Sequence, residues 1–148
     1  MKEGRDGFQK GRVGVIATAH FLHDCYTSFL APALPLIIDK LGISYGMTGL
    51  LAVIQRIPSL FNPLIGIVAE RPVMRYMVIF SPSLTAVFMS LIGVAPGYIF
   101  LATLLFFSGL SSTLWHIPTP VIVRELSGSR TGKGMSWYMV GGELARTA

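Results

Sequence analysis

The apolar run at residues 13–38 constrains the chain more than any other feature. It is long enough to cross a bilayer as a helix and too long for the buried helix of a small soluble domain. Yet His20, His23 and Asp24 stand in its first half and Pro32 and Pro35 in its second. Ionisable groups in a membrane span are costly, so they face a protein interior or a water-filled path and do work there. Three further apolar runs follow, at about 46–69, 76–95 and 98–123, and a fifth opens near Met135 and continues to Ala148. The expected fold class is therefore an all-α membrane protein with four transmembrane helices and the start of a fifth. Residues 1–12 form a polar, basic lead.

Composition agrees. Only 13% of residues are charged, against roughly 25% in soluble domains. The net charge of +5 is not a nucleic-acid footprint, because the basic residues lie in the gaps between apolar runs. Cys25 is the single cysteine and can form no intramolecular disulfide. The first run lacks the short apolar core and small-residue cleavage site of a signal peptide, so it reads as a retained span. The last segment has no closing turn or basic stop, and the expectation is an N-terminal piece of a longer protein.

Loop charges set the orientation, since Lys and Arg concentrate on the cytoplasmic side. Lys2, Arg5, Lys10, Arg12, Arg71, Arg75, Arg124, Arg130 and Lys133 lie in the lead and in the second and fourth loops; Lys40 alone lies in the first and third. The N-terminus is expected in the cytoplasm, and the chain as a multi-pass protein of the cell inner (plasma) membrane. Helix rise then converts position to depth. His20 and His116 each lie roughly 10 Å from the cytoplasmic end of their spans, and Asp24, Arg56 and Arg146 lie roughly 15–18 Å deep. Glu143 is one turn shallower than Arg146. Asp24, Arg56, Glu143 and Arg146 thus form an expected buried network whose formal charges cancel, and a buried charge of this kind needs a partner. His20, His23, Asp24 and Thr27 share one helix face. Histidine titrates near neutral pH, so the face suits proton uptake and release; hydrogen bonding that merely fixes helix packing is the other reading. Pro32/Pro35 and Pro118/Pro120 interrupt spans one and four in corresponding positions, as in transporters built from repeats.

Gly66-Ile-Val-Ala-Glu70-Arg71-Pro-Val-Met-Arg75, between spans two and three, resembles the signature loop of the major facilitator superfamily. Glu70 stands where Asp is usual and Val73 replaces a second Gly. The resemblance implies a gating role for Gly66, Glu70, Arg71 and Arg75. His20-x-x-His23-Asp24-x-Tyr26 followed by Leu-Ala-Pro-Ala-Leu-Pro, and Gly109-Leu-Ser-Ser-Thr-Leu-Trp-His116-Ile-Pro118, resemble the fosmidomycin-resistance-like branch of that superfamily. Gly141-Gly142-Glu143-Leu-Ala-Arg146 resembles the opening of its span-five antiporter motif. The resemblance implies a helical bundle of two six-helix halves, of which residues 13–148 supply part of the first. It implies proton-driven efflux of a small molecule or drug, with the lipid bilayer, protons, the substrate and the remaining helices as partners.

On this reading Asp24 and Glu143 carry protons, Arg56 and Arg146 are their counter-charges, and His20, His23 and His116 line the path. No enzyme activity, cofactor or metal is expected. Two alternatives stand beside it: a four-span assembly or adaptor protein, and a haem- or metal-binding protein using His20 and His116 at matching depth. No phosphate-binding glycine loop is present, which argues against ATP-driven transport within this chain.

Overall fold

Prolines and glycines cut the apolar runs into shorter helices. The computed structural model describes residues 7–69 and 71–147. In chain order, α1 is Lys10–Ser28, α2 Leu30–Leu41, α3 Tyr45–Arg56, α4 Asn62–Val68, α5 Pro72–Leu91, α6 Tyr98–His116, α7 Pro118–Ser127 and α8 Thr131–Thr147. Among the described residues there is no β-strand. Four stretches of helix are long and apolar enough to cross a membrane.

The first interruption falls at Phe29, between α1 and α2. Pro32 has no N–H to offer Ser28 and its ring crowds that carbonyl, so a continuous helix cannot pass. The fourth span breaks at Ile117, and Pro118 opens α7 at the position where a missing N–H costs nothing. The sequence pairs these two breaks, but the structure adds a third. A 3₁₀ segment, Ile57–Phe61, divides α3 from α4, with Pro58 inside it and Pro63 at the start of α4. Interruption is therefore not confined to spans one and four. Pro82, by contrast, lies inside a continuous α5.

Short turns join the helices. Gly42, at φ 60°, closes α2 in a left-handed conformation that residues with a Cβ resist. Ser44 caps α3 by accepting from the Met47 N–H. Gly128, at φ 51°, turns the chain back between α7 and α8. The fourth loop is thus shorter than expected, because α7 runs through Arg124 and Glu125 and α8 begins before Met135.

Contacts at the two ends give the topology. At one end the Gln9 N–H donates to the Leu126 carbonyl, Arg75 pairs with Glu125 at 3.5 Å, and Phe8 meets Trp137 edge-on. At the other, Lys40 Nζ donates to the Gly93 carbonyl and Tyr98 Oη to that of Met47. So α1, α5 and α8 run one way and α3 and α6–α7 the other. Lys10, Arg12, Arg71, Arg75, Arg124, Arg130 and Lys133 share the first end.

The apolar core lies toward the Lys40 end, where Leu30, Ile37, Leu51, Met89, Leu101 and Leu105 pack together. Outward faces carry large apolar side chains such as Leu36, Ile67, Ile79 and Ile99. In water such a surface would aggregate; against lipid it needs no further burial. The polar side chains of α1 lie on the other side of this core, packed against α8.

Candidate functional site

In α1 the three- and four-residue spacing of His20, His23 and Asp24 puts them on one face, and all three are buried. Burial comes from a close approach of α8. A Cβ at Gly141 would clash with the Ala17 backbone, and one at Gly142 would stand 2.5 Å from His20 Cε1 and 3.1 Å from Asp24 Oδ2. Only glycine lets the two helices meet at this depth, in the manner of small-residue packing in membranes.

Asp24, 2% exposed, is the hub. Its Oδ1 lies 2.9 Å from His23 Nδ1 and 3.3 Å from His116 Nε2. Its Oδ2 lies 3.5 Å from His20 Nε2 and 3.9 Å from Arg146 Nη2. Groups from α1, α6 and α8 therefore converge on one carboxylate. His20 Nδ1–H donates to the Tyr138 carbonyl at 2.8 Å, and its ring stacks on that of Tyr138. His23 stacks on Trp115, while its Nε2 meets Thr85 Oγ1 at 3.2 Å. Thr85 Oγ1 donates to Ser111 Oγ at 2.9 Å, and Ser111 Oγ to the Ser81 carbonyl at 2.7 Å.

A cavity of about 600 Å³ opens beside the cluster. Thr27, Gln55, Arg56, Asn62, His116 and Arg146 are among the residues lining it. His116 and Arg146 belong to both the cavity wall and the Asp24 cluster, so they connect the buried carboxylate to open space.

The sequence-predicted residues thus divide. His20, His23, Asp24, His116 and Arg146 come together. Arg56 is not among the ion-pair partners of Asp24 in the described residues; it ends α3 and faces the cavity instead. Nor is the expected network buried throughout. Glu143 and Arg146 pair with each other at 3.0 Å while 61% and 60% exposed. Their spacing of three along α8 makes that pair local, and only the tip of Arg146 reaches Asp24. Depth counting put these groups at one level but carries no information about direction around each helix axis.

In the loop, Glu70 lies outside the described residues, as do Lys2, Arg5 and Ala148. Gly66 and Arg71 are exposed, and Arg75, in the first turn of α5, pairs with Glu125 of α7. Thr85, Ser111, Trp115 and Tyr138 were not assigned a role from sequence. The available signal was Ser81 and Thr85 four apart in a strongly apolar span, which puts two hydroxyls on one face.

The haem alternative fails on geometry. His20 and His116 both turn Nε2 onto Asp24, with ring centroids 5.2 Å apart, so the carboxylate occupies the space a porphyrin needs. Donor atoms of His20, Asp24 and His116 do lie within 4.8 Å of one another, a spacing that would admit a small cation. Arg146 already brings positive charge to Asp24, so the cluster is charge-paired without one.

Residues 16–147 match the family model described as Major Facilitator Superfamily. Over 131 residues the chain is 24% identical to a protein of Bacillus subtilis (strain 168) described as "Uncharacterized MFS-type transporter YfnC". That alignment covers 86% of this chain and 32% of the relative, so the chain spans about a third of the relative's length. No solved structure matches. With the family model matched across nearly all of an antiparallel bundle of apolar helices, the chain belongs to the major facilitator superfamily.

Proposed function

We propose that the chain forms part of a secondary active transporter that exports a small molecule in exchange for protons, in the fosmidomycin-resistance-like branch of its superfamily. It sits in the inner (plasma) membrane with its N-terminus in the cytoplasm, and further helices complete the substrate path. The observation that carries this reading is Asp24: a buried carboxylate, held by three histidines and an arginine from three helices, at the edge of a cavity. A buried charge of this kind inside a membrane span is functional by default.

A proton arriving through His116 offsets the negative charge of the His23–Asp24 site and weakens its hold on Arg146. Arg146 then answers mainly to Glu143 and the cavity, which loosens the tie between α8 and α1. Departure of the proton restores it. Arg56 and Arg146 line the cavity together, which favours a substrate with negative charge. Arg71 and Arg75 act in gating, with Arg75 bridging α5 to Glu125 at the cytoplasmic end.

The experiment is transport of fosmidomycin, as the probe, by the full-length protein in proteoliposomes with an imposed pH gradient. Asp24→Asn should reduce gradient-driven transport to background while the protein remains folded. Transport at the unaltered rate would remove Asp24 from the mechanism.

A further inference from the structure

The hydrogen bonds around His23 leave little choice about where its protons lie. The Ser81 carbonyl can only accept, so the Ser111 hydroxyl hydrogen is committed to it. Thr85 Oγ1, 2.9 Å from Ser111 Oγ, must then donate to it. That leaves Thr85 only lone pairs for His23, 3.2 Å away, so His23 Nε2 carries a hydrogen and donates. On the opposite edge of the ring, Nδ1 lies 2.9 Å from Asp24 Oδ1. A neutral His23 beside a bare carboxylate would set two lone pairs against each other there. A proton therefore lies between them: the pair is either imidazolium with carboxylate or imidazole with carboxylic acid. His23, Asp24, Thr85 and Ser111 are all buried, so bulk water does not relax these directions.

We infer that Thr85 and Ser111 are positioning residues that tie the proton occupancy of the His23–Asp24 pair to the contact between α5 and α6. The inference rests on the reading of Asp24 as a proton carrier. In the arrangement described, the pair is loaded and two side-chain hydrogen bonds, Thr85 to Ser111 and Ser111 to Ser81, join the two helices. When one proton leaves to cavity water through His116, 3.3 Å from Oδ1, the pair at equilibrium is a carboxylate beside a neutral ring. The one ring hydrogen left on His23 then belongs on Nδ1, facing it. Nε2 is now bare, and Thr85 must rotate its hydrogen from Ser111 to Nε2. The emptied site keeps one of the two α5–α6 bonds. The other titratable or charged groups facing the pair are His20 on α1, His116 on α6 and, on α8, Arg146 at Asp24 with Tyr138 against His20. From α5 the ring meets the uncharged Thr85.

Ring-nitrogen NMR of the full chain in lipid nanodiscs, with ¹⁵N-labelled histidine, tests this. The His23 signals are assigned by their loss in His23→Gln. At a pH where both forms are present, Ser111→Ala releases Thr85 to donate to a bare Nε2 without breaking another bond. The ratio of Nε2-protonated to Nε2-bare His23 should fall about fivefold, the worth of one hydrogen bond. Ser108→Ala removes another buried hydroxyl of α6, one without a partner among the described residues, and should leave the ratio unchanged. Thr85→Ser, which keeps the hydroxyl, should do the same. An unchanged ratio in Ser111→Ala, or an equal fall in Ser108→Ala, overturns the inference. The unaltered protein provides a second measurement: on proton loss His23 must exchange Nε2–H for Nδ1–H, and a ring that retains Nε2–H overturns it too. Neither measurement involves transport. Failure here leaves the Asp24→Asn experiment standing, and failure there leaves the His23 result standing.

Discussion

Gly142 shows how much one missing side chain decides. A methyl group there would lie 2.5 Å from His20 Cε1 and 2.8 Å from His20 Nε2. The ring is held between the Tyr138 carbonyl and Asp24, so it has no free direction in which to retreat. Gly142→Ala should therefore destabilise the full chain by about 1–3 kcal/mol, as other overpacked sites do. Gly132→Ala, on the same helix with nothing within 4 Å, should be neutral or slightly stabilising, because alanine is the better helix former. Thermal unfolding in detergent separates the two. At this scale the sequence was informative about identity and less so about partnership. Asp24 and its histidines stand out because charge in an apolar run is anomalous. Thr85 and Ser111 do not, since single hydroxyls are common in membrane helices and their hydrogen-bond partners lie on other helices.

Among the elements, the crossing of α3 and α6 depends on Gly109. A Cβ on Gly109 would run into the Gln55 backbone, with the carbonyl carbon at 2.9 Å. Backbone cannot swing aside like the end of a side chain, so Gly109→Ala forces the two helices apart. We expect a lowered melting temperature and weakened support for the cavity wall, since Gln55, Arg56 and Gly109 all line it. Gly49→Ala, in α3 with no atom within 4 Å, is the matched control and should melt unchanged or higher. Helix breaks were legible in part. Pro32 and Pro118 predict interruptions near Phe29 and Ile117 because each proline removes a donor and crowds the preceding turn. Proline alone does not predict the outcome, however: Pro82 sits in an unbroken α5 while Pro58 lies inside a 3₁₀ segment and Pro63 opens the helix after it. Neighbouring helices decide whether the freed carbonyl is tolerated.

For the whole molecule, the arrangement of ends makes a topological prediction. Asp39 and Ser129 lie at opposite ends of the bundle and both are exposed. With Cys25→Ser as background, Asp39→Cys in intact cells should react with a membrane-impermeant maleimide. Ser129→Cys should react only after permeabilisation. The reverse pattern would invert the orientation expected from the loop charges. The sequence by itself determined that the chain crosses a membrane, that its apolar runs are helical and which residues break the apolar pattern. Those properties follow from the cost of burying polar groups in hydrocarbon, which acts residue by residue along the chain. Only the tertiary structure decided that Arg146 and not Arg56 reaches Asp24, that His116 joins the same carboxylate, and that Thr85 and Ser111 lie in line with His23. Those pairings depend on the rotation of each helix about its axis and on close approaches permitted at Gly109, Gly141 and Gly142, which hydropathy and depth do not encode.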